Sequence, residues 1–145
     1  MIALIQRVLA AKVTVEGEII GEIDAGLLAL IGIRPGDGAR EVQRLTDRLL
    51  GYRVFSDETG RMNRSLSDTG GGLLLVPQFT LAADTRSGMR ASFTSAAAPD
   101  LARPLFAELV AHAHRRHKTV ECGRFGADMH VSLTNHGPVT FWLES

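Results

Sequence analysis

The sequence is poor in several residue types, and each shortage excludes a class of protein. Cys122 is the single cysteine among 145 residues, so neither an internal disulfide nor a multi-cysteine zinc site can form. We interpret it as a buried, unreactive thiol, because nothing around it in the sequence predicts activation. The longest uncharged apolar run, residues 25–33, is too short to span a bilayer. Residues 1–7 lack the basic start and small-residue cleavage site of a signal peptide, which predicts a cytoplasmic protein without membrane contact.

The charge balance is equally uninformative at the level of the whole chain. The formal net charge is zero, so no global field favours nucleic acid or membrane, although a local patch is still compatible with it. Of the sixteen basic residues, only Lys12 and Lys118 are lysines. Codon bias is one explanation, and the preference of arginine for bidentate phosphate contacts is another. The length predicts one domain over residues 1–145 that folds without disulfide or metal. We expect no cofactor.

Most of the chain has the apolar patterns of β-strands. Glu16-Gly17 is typical of a tight turn between two strands. The segment Leu27–Ile33 is a continuous apolar run, which predicts a strand buried on both faces. The segment Leu73–Phe79 is predicted to be the central strand. Further strands are predicted at residues 119–122, 129–135 and 139–143.

Two segments have helical periodicity instead. Residues 39–50 place their leucine and valine side chains on one face, and Gly51 follows where a helix commonly ends. A second helix is predicted to begin near Asp100, with Pro104 in its first turn. The polar, glycine-rich segment 65–72 is predicted to be a turn. Many strands with two main helices indicate an α+β fold built of largely antiparallel, barrel-like sheets.

Polar side chains end the predicted central strand. Gln78 offers an uncharged donor and acceptor, and Thr80 is the single hydroxyl within residues 77–81. Strand alternation places these two on one face and Phe79 on the other. A threonine nucleophile needs a base to activate it, and Asp84 is the one titratable side chain close in sequence. The residues alone therefore do not assign nucleophilic attack to Thr80, and the plain alternative is a threonine chosen for its β-propensity.

The Gly137-Pro138 step is the second candidate, and it follows the apolar strand residues 131–133. An X-Pro bond is trans by default, because only about 5–6% are cis in folded proteins. A cis bond would let two carbonyl oxygens point the same way into a cleft, where they would suit an ammonium group. Two strand ends of this kind indicate a site built mainly from backbone groups.

Basic residues are concentrated at the end of the second predicted helix, in the segment His112–Lys118. Cations at a helix C-terminus offset the helix dipole, and this is one interpretation. The other is a phosphate-binding patch for a nucleic-acid backbone. Further candidates for local phosphate contacts are Arg61, Arg64, Arg86 and Arg90.

At these strand ends the chain resembles the D-aminoacyl-tRNA deacylase family. The family's hallmark segments are Ser-Gln-Phe-Thr-Leu and Asn-x-Gly-Pro-Val-Thr, which correspond here to residues 77–81 and 135–140. The likeness runs essentially end to end. It also includes residues 5–8, 51–57, 88–90 and 123–129.

The resemblance implies a homodimeric hydrolase that cuts the ester between a D-amino acid and the terminal ribose of tRNA, and that also accepts glycine. In the family the Gly-Pro bond is cis and reaches into the site of the other subunit. Gly137 and Pro138 would thus hold the α-amino group of the partner's substrate with their carbonyl oxygens. Met129 resembles a residue that helps to seat this motif.

The same resemblance assigns roles at the first strand end. Gln78, Phe79 and Thr80 correspond to the catalytic segment, and the backbone N–H of Phe79 to the one beside the scissile ester. Once the ammonium and the ester carbon are fixed, an L side chain would strike the Gly-Pro wall, whereas a D side chain would leave the pocket. Such steric exclusion needs no recognition of a particular side chain. The resemblance points to the tRNA ribose hydroxyl as the assisting group, with Thr80 as nucleophile the competing mechanism.

Pro77 departs from the family pattern, because it replaces a serine and removes both a hydroxyl and a backbone N–H. A related branch, which removes L-alanine mischarged on a threonine tRNA, also has proline there. That branch, however, carries alanine at the position of Phe79 and a trans Gly-Pro bond. Phe79 and the segment 135–140 therefore favour the D-specific enzyme. The alternatives are the L-alanine-removing relative and a tRNA-binding dimer without turnover.

Overall fold

A computed structural model describes all of residues 1–145. The α+β fold class is confirmed, with α1 and α3 as the two main helices. No helix combines the length and the apolar character needed to cross a membrane. The strands are β1 (Ile2–Val15), β2 (Glu18–Ile23), β3 (Gly26–Gly32), β4 (Phe55–Ser56), β5 (Met62–Arg64), β6 (Gly72–Pro77), β7 (Val120–Cys122) and β8 (His130–Glu144). The helices are α1 (Ala39–Gly51), α2 (Leu66–Thr69), a 3₁₀ helix (Phe79–Ala82) and α3 (Pro99–Arg116).

Six strands form one curved sheet in the order β2-β1-β3-β6-β7, with β8 paired along the other edge of β1. The pairs that β1 makes with β2, β3 and β8 are antiparallel, as predicted. The pairs β3–β6 and β6–β7 are parallel, which the prediction missed. A Cβ at Gly21 of β2 would lie 2.9 Å from the carbonyl oxygen of Cys122 in β7. The sheet is therefore nearly closed into a barrel.

The continuous apolar run in β6 reflects burial on both faces of the sheet. Leu73 and Leu75 belong to the larger core, which the sheet shares with α1 and α3. Leu74 and Val76 belong to a smaller core inside the barrel, formed with β1 and β2. All four are at most 1% exposed, and burial of each contributes about 1.5–3 kcal/mol. The same alternation explains the continuous apolar run in β3. Burial therefore holds both strands, and β6 leads directly into the candidate site.

Local signals explain the hairpin and the first helix. Glu16 and Gly17 both have positive φ, 51° and 86°, as a two-residue hairpin turn requires. Before α1, the Gly38 N–H donates to the Glu41 carboxylate at 3.0 Å. Gly51 was predicted to follow this helix, but it is the last residue of α1.

Several predicted boundaries were wrong. The predicted central strand ends at Pro77, because the chain then turns into the 3₁₀ helix. The segment 65–72 contains a helical turn, α2, which Ser65 caps by accepting from the Asp68 N–H at 3.3 Å. Pro104 lies inside α3 and beyond its first turn, because the helix already begins at Pro99. The strands predicted for residues 129–135 and 139–143 are one strand, β8.

Candidate active site

The first half of the candidate site is the strand end, residues 77–80. The Gln78 N–H donates to the Ile31 carbonyl at 2.7 Å, which is the last backbone bond between this segment and β3. The next amide with a local acceptor is that of Leu81, which donates to the Gln78 carbonyl at 3.2 Å. Between them, the amides of Phe79 and Thr80 open the 3₁₀ helix, where the first N–H groups have no acceptor within the helix. The strand end therefore presents two backbone donors at the surface.

The side chains of Gln78 and Thr80 lie together, as predicted. The Gln78 amide donates to Thr80 Oγ1 at 2.5 Å, although the two meet around the turn and not along a strand. Asp84 does not serve this hydroxyl as a base. Its carboxylate accepts three hydrogen bonds from Arg86, at 2.6, 2.9 and 3.0 Å, and the Arg86 guanidinium holds the pKa of Asp84 well below its usual range. Since the amide occupies a lone pair of Thr80, the hydroxyl is oriented to donate.

Two cavities meet at Pro77, Phe79 and Gly126, which border both of them. A third cavity, of about 510 Å³, borders Thr80. The larger cavity, about 670 Å³, is mainly apolar, and its lining includes three phenylalanines. The ring centroids of Phe79 and Phe93 are 5.2 Å apart, and the Arg103 guanidinium lies over the third ring, that of Phe125, at 5.0 Å. Phe93, Arg103 and Phe125 had no predicted role, because they approach one another only in three dimensions.

The smaller cavity, about 260 Å³, is lined by Gln78, Phe79 and Met129 among others. The sulfur of Met129 accepts the Arg124 N–H at 3.3 Å. A Cβ at Gly123 would lie 2.8 Å from that sulfur, so the glycine leaves room for the methionine side chain in this position. Met129 is thus fixed beside the strand end of the same protomer.

The second half of the candidate site is the Gly-Pro corner, residues 135–140. In the β1–β8 ladder the pair Val8–Asn135 is followed by Gln6–Thr140. The chain thus advances two residues in β1 and five in β8, and the three extra residues bulge outward. The Gly137–Pro138 peptide bond is cis, in agreement with the family resemblance. Gly137 has φ +153°, and a Cβ there would lie 2.6 Å from Val139 Cγ2 and 2.7 Å from its nitrogen.

Hydrogen bonds from two side chains hold this corner. The Asn135 amide donates to the carbonyl of Val139 at 3.2 Å and to the Thr140 hydroxyl at 3.0 Å, and its oxygen accepts the Val139 N–H at 2.7 Å. Arg7 donates to the His136 carbonyl at 2.8 Å and to the Val54 carbonyl at 2.6 Å. Both residues lie inside segments that match the family, and neither had a predicted role.

The structure brings four of the six predicted site residues together and leaves two apart. Gln78, Phe79, Thr80 and Met129 cluster at the strand end. Gly137 and Pro138 are exposed and border neither of the two cavities. Within a single protomer, the two halves of the candidate site are therefore separate.

Comparison with known proteins identifies the family. The family model described as D-Tyr-tRNA(Tyr) deacylase matches residues 4–144. A D-aminoacyl-tRNA deacylase from Thioalkalivibrio sulfidiphilus (strain HL-EbGR7) is 65% identical over 99% of this chain and 97% of its own. One from Xanthomonas campestris pv. campestris (strain 8004) is 63% identical over 99% of both chains. Both relatives are named as hydrolytic enzymes.

Two solved structures share the fold. The c-Myc DNA unwinding element binding protein superposes with a TM-score of 0.95 at 35% identity, covering 100% of this chain and 99% of its own. A probable eukaryotic D-amino acid tRNA deacylase gives a TM-score of 0.85 at 16% identity, covering 99% and 98%, and supports the fold alone. The matches extend over essentially the whole chain. The chain therefore belongs to the D-Tyr-tRNA(Tyr) deacylase family of enzymes.

Proposed function

We propose that the protein hydrolyses the ester between a D-amino acid and the terminal ribose of tRNA, and that it also removes glycine. The products are the free amino acid and the uncharged tRNA. The proposal is supported by relatives of that name that are 60–65% identical over nearly the whole chain. The observation that carries it is the strand end, where two backbone donors lie between an aromatic cavity and a smaller one. We assign this activity to a single domain, residues 1–145, acting in the cytoplasm.

The larger cavity has the shape and chemistry for the terminal adenosine. Its aromatic rings offer stacking surfaces for a base, and the guanidinium of Arg103 adds a planar cation. A volume of about 670 Å³ lies within the range of small-molecule sites. The 3′-terminal nucleoside bound there places its ester at the strand end.

The strand end then supplies the stabilisation that hydrolysis needs. Water attacks the ester carbonyl, and negative charge develops on its oxygen. The N–H groups of Phe79 and Thr80 are free to donate to that oxyanion, and a single such donor is worth about 2.7–4 kcal/mol. The Thr80 hydroxyl, oriented by Gln78, adds a third donor. Because Asp84 is occupied by Arg86, we assign assistance of the water to the ribose hydroxyl next to the ester, and not to a protein base.

We infer that the site is completed by a second copy of the chain. The Gly-Pro corner is exposed and held by Asn135 and Arg7, yet it borders none of the cavities at the strand end of its own protomer. In a homodimer, the corner of one subunit would cover the strand end of the other. Carbonyl oxygens of Gly137 and Pro138 would accept from the substrate ammonium, and the corner would exclude an L side chain by contact. Glycine has no side chain to contact the corner, so it is accepted.

Pro77 supports a narrower alternative. It borders both cavities, so its ring, in place of a smaller hydroxyl side chain, alters the wall next to the ester. A relaxed wall would admit L-alanyl-tRNA(Thr). Phe79 borders both cavities as well, and it favours the D-specific function because the L-alanine-removing branch has a much smaller residue there.

The direct test is turnover on paired substrates. Purified protein is incubated with D-tyrosyl-tRNA, L-tyrosyl-tRNA, glycyl-tRNA and L-alanyl-tRNA(Thr), and release of the amino acid is measured. We expect hydrolysis of the D-tyrosyl and glycyl esters and sparing of the L-tyrosyl ester. Equal rates on both tyrosyl enantiomers would reject chiral selection, and preferential release of L-alanine would favour the alternative.

A further inference from the structure

We propose that the α1–α3 basic patch, formed by Arg40, Arg44, Arg115, Arg116 and Lys118, binds the phosphate backbone of the RNA whose 3′ end occupies the strand end. This inference rests on the proposed function. It names a second contact, remote from the ester, that recognises charge and not base sequence.

The patch joins the surfaces of two packed helices. Arg116 at the end of α3 forms a hydrogen-bonded ion pair with Asp47 of α1. Arg44 lies one turn before Asp47 on the same face of α1, where residues three and four apart are neighbours. Two arginines therefore flank one carboxylate. Arg40 adds a further cation one turn earlier, paired with Glu41 at 3.0 Å.

The patch has an excess of positive charge. Its five cations face two carboxylates, Asp47 and Glu41. No salt bridge of the structure uses Arg44, Arg115 or Lys118, and all three are exposed. Three other carboxylates are close in sequence. Glu108 lies two turns before Arg115, Glu121 lies three residues after Lys118, and Asp37, three residues before Arg40, pairs with the N-terminal ammonium.

Offsetting the helix dipole does not account for this surface. The C-terminus of α3 attracts cations, which explains Arg115 and Arg116. Arg40, however, lies in the first turn of α1, where the dipole disfavours a cation. The helix dipole therefore cannot explain the arginines of both helices. They have in common only that they lie on one surface. Such a surface fits a polyanion, and arginine forms bidentate contacts with phosphate.

The geometry of α3 links the patch to the site. Residues Pro99, Ala102 and Arg103 at the start of this helix line the larger cavity, and the patch lies at its end. An 18-residue helix is about 27 Å long at 1.5 Å per residue. An RNA that places its terminal nucleoside in the cavity and runs along α3 would therefore meet the patch with phosphates that lie well away from the ester.

Salt-dependent binding tests the proposal. The triple variant Arg44→Gln, Arg115→Gln, Lys118→Gln is compared with wild type for binding of uncharged tRNA at increasing salt. Each lost phosphate contact should lower the slope of log affinity against log salt by about 0.7–0.9. The matched pair of single-charge variants is Arg44→Gln and Lys12→Gln, since Lys12 is exposed on β1 between β2 and β8. We expect the slope to fall for Arg44→Gln and to stay at the wild-type value for Lys12→Gln.

A kinetic comparison separates this proposal from the proposed function. The ratio of kcat/KM for D-tyrosyl-tRNA to kcat/KM for the short ester D-tyrosyl-adenosine should fall about 10-fold in the triple variant, because only the tRNA has the phosphates that the three side chains contact. An unchanged ratio with an unchanged salt slope would overturn the patch as an RNA contact. If wild type cleaves neither ester, the proposed function fails. Binding of uncharged tRNA would then still test whether the patch contacts RNA.

Discussion

The strand end and the Gly-Pro corner both offer backbone groups to a ligand, but one follows a buried strand and the other lies on the surface. The strand end follows five buried residues, 72–76, and opens onto two cavities of its own protomer. The corner bulges out of the β1–β8 ladder, and its residues 136–138 are exposed. Burial fixes the first, whereas hydrogen bonds from Asn135 and Arg7 fix the second. The corner is thus a well-held surface feature that borders none of the cavities at the strand end, and the proposed contact with a partner subunit rests on this.

The largest effect is expected at the corner. The change Gly137→Ala puts a Cβ within 2.6 Å of Val139, so the backbone of residues 137–139 must move. Because a misplacement of about 1 Å in a positioning group can cost about 100-fold in rate, we expect kcat/KM for D-tyrosyl-tRNA to fall at least that much. Steady-state kinetics of the purified variant provide the measurement.

The control for this change is Gly17→Ala in the β1–β2 turn. Gly17 also has a positive φ, +86°, but a Cβ there would meet nothing within 4 Å. This variant carries the conformational cost of an L residue, about 1–2 kcal/mol, without a clash. Both variants should lose thermal stability, and only Gly137→Ala should lose activity. Equal activities would show that the corner does not position the substrate.

A smaller effect is expected at the strand end, where the Thr80 hydroxyl is one of three donors. Thr80→Ala should lower kcat about 100-fold, the usual effect of removing one oxyanion donor. Thr80→Ser keeps the hydroxyl and should stay close to wild type. Rapid-quench experiments should detect no acyl-enzyme. A covalent intermediate on Thr80, or complete loss of turnover in the alanine variant, would instead identify it as the nucleophile.

Loss of the hydrogen bonds from Arg7 to the corner should have a smaller effect than either change. Arg7→Met removes hydrogen bonds from a charged donor to the carbonyls of His136 and Val54, each worth about 1.5–3 kcal/mol. Because the corner is then held less firmly against the substrate, we expect kcat/KM to fall about 10-fold. Lys12→Met, on the same strand and exposed, is the matched control. Similar losses in both variants would argue against this role of Arg7.

Much of the fold could be predicted because its signals are local. The Glu16-Gly17 turn, the two-faced burial of β3 and the amphipathic face of α1 each follow from residues adjacent in the sequence. The end of β6 was missed, because Phe79 and Leu81 have strand-like side chains while the turn after Pro77 is set by tertiary contacts. Pro104 was placed wrongly for a related reason: packing of α3 on the sheet outweighs one lost hydrogen bond.

The candidate site was predictable in its residues and not in its arrangement. Segments 77–81 and 135–140 carry distinctive backbone chemistry, so the sequence reveals both. Their separation within one protomer depends on the β1–β8 register, which has no local signal. The aromatic cavity was missed for the same reason, since Phe93 and Phe125 are far apart in the chain.

The smallest effect concerns stability at low pH near the corner. Asp57, in the β4–β5 hairpin that follows Val54, accepts hydrogen bonds from Thr59, Asn63 and Arg61, which lower its pKa to about 2. The folded state therefore binds fewer protons than the unfolded state between about pH 4 and pH 2, and stability falls as the pH drops through that range. Asp57→Asn should reduce this slope in thermal melts recorded at several pH values. An unaltered pH profile would contradict the role given to Asp57.

Subunit complementation tests the central claim most directly. Gly137→Ala damages the corner, and Gln78→Ala with Thr80→Ala damages the strand end. Both proteins are co-refolded, so that about half of the dimers are mixed and each mixed dimer has one site with both halves intact. We predict recovery of about a quarter of wild-type activity on D-tyrosyl-tRNA from two nearly inactive parents. Activity no greater than the mean of the parents would contradict a site completed by the partner subunit.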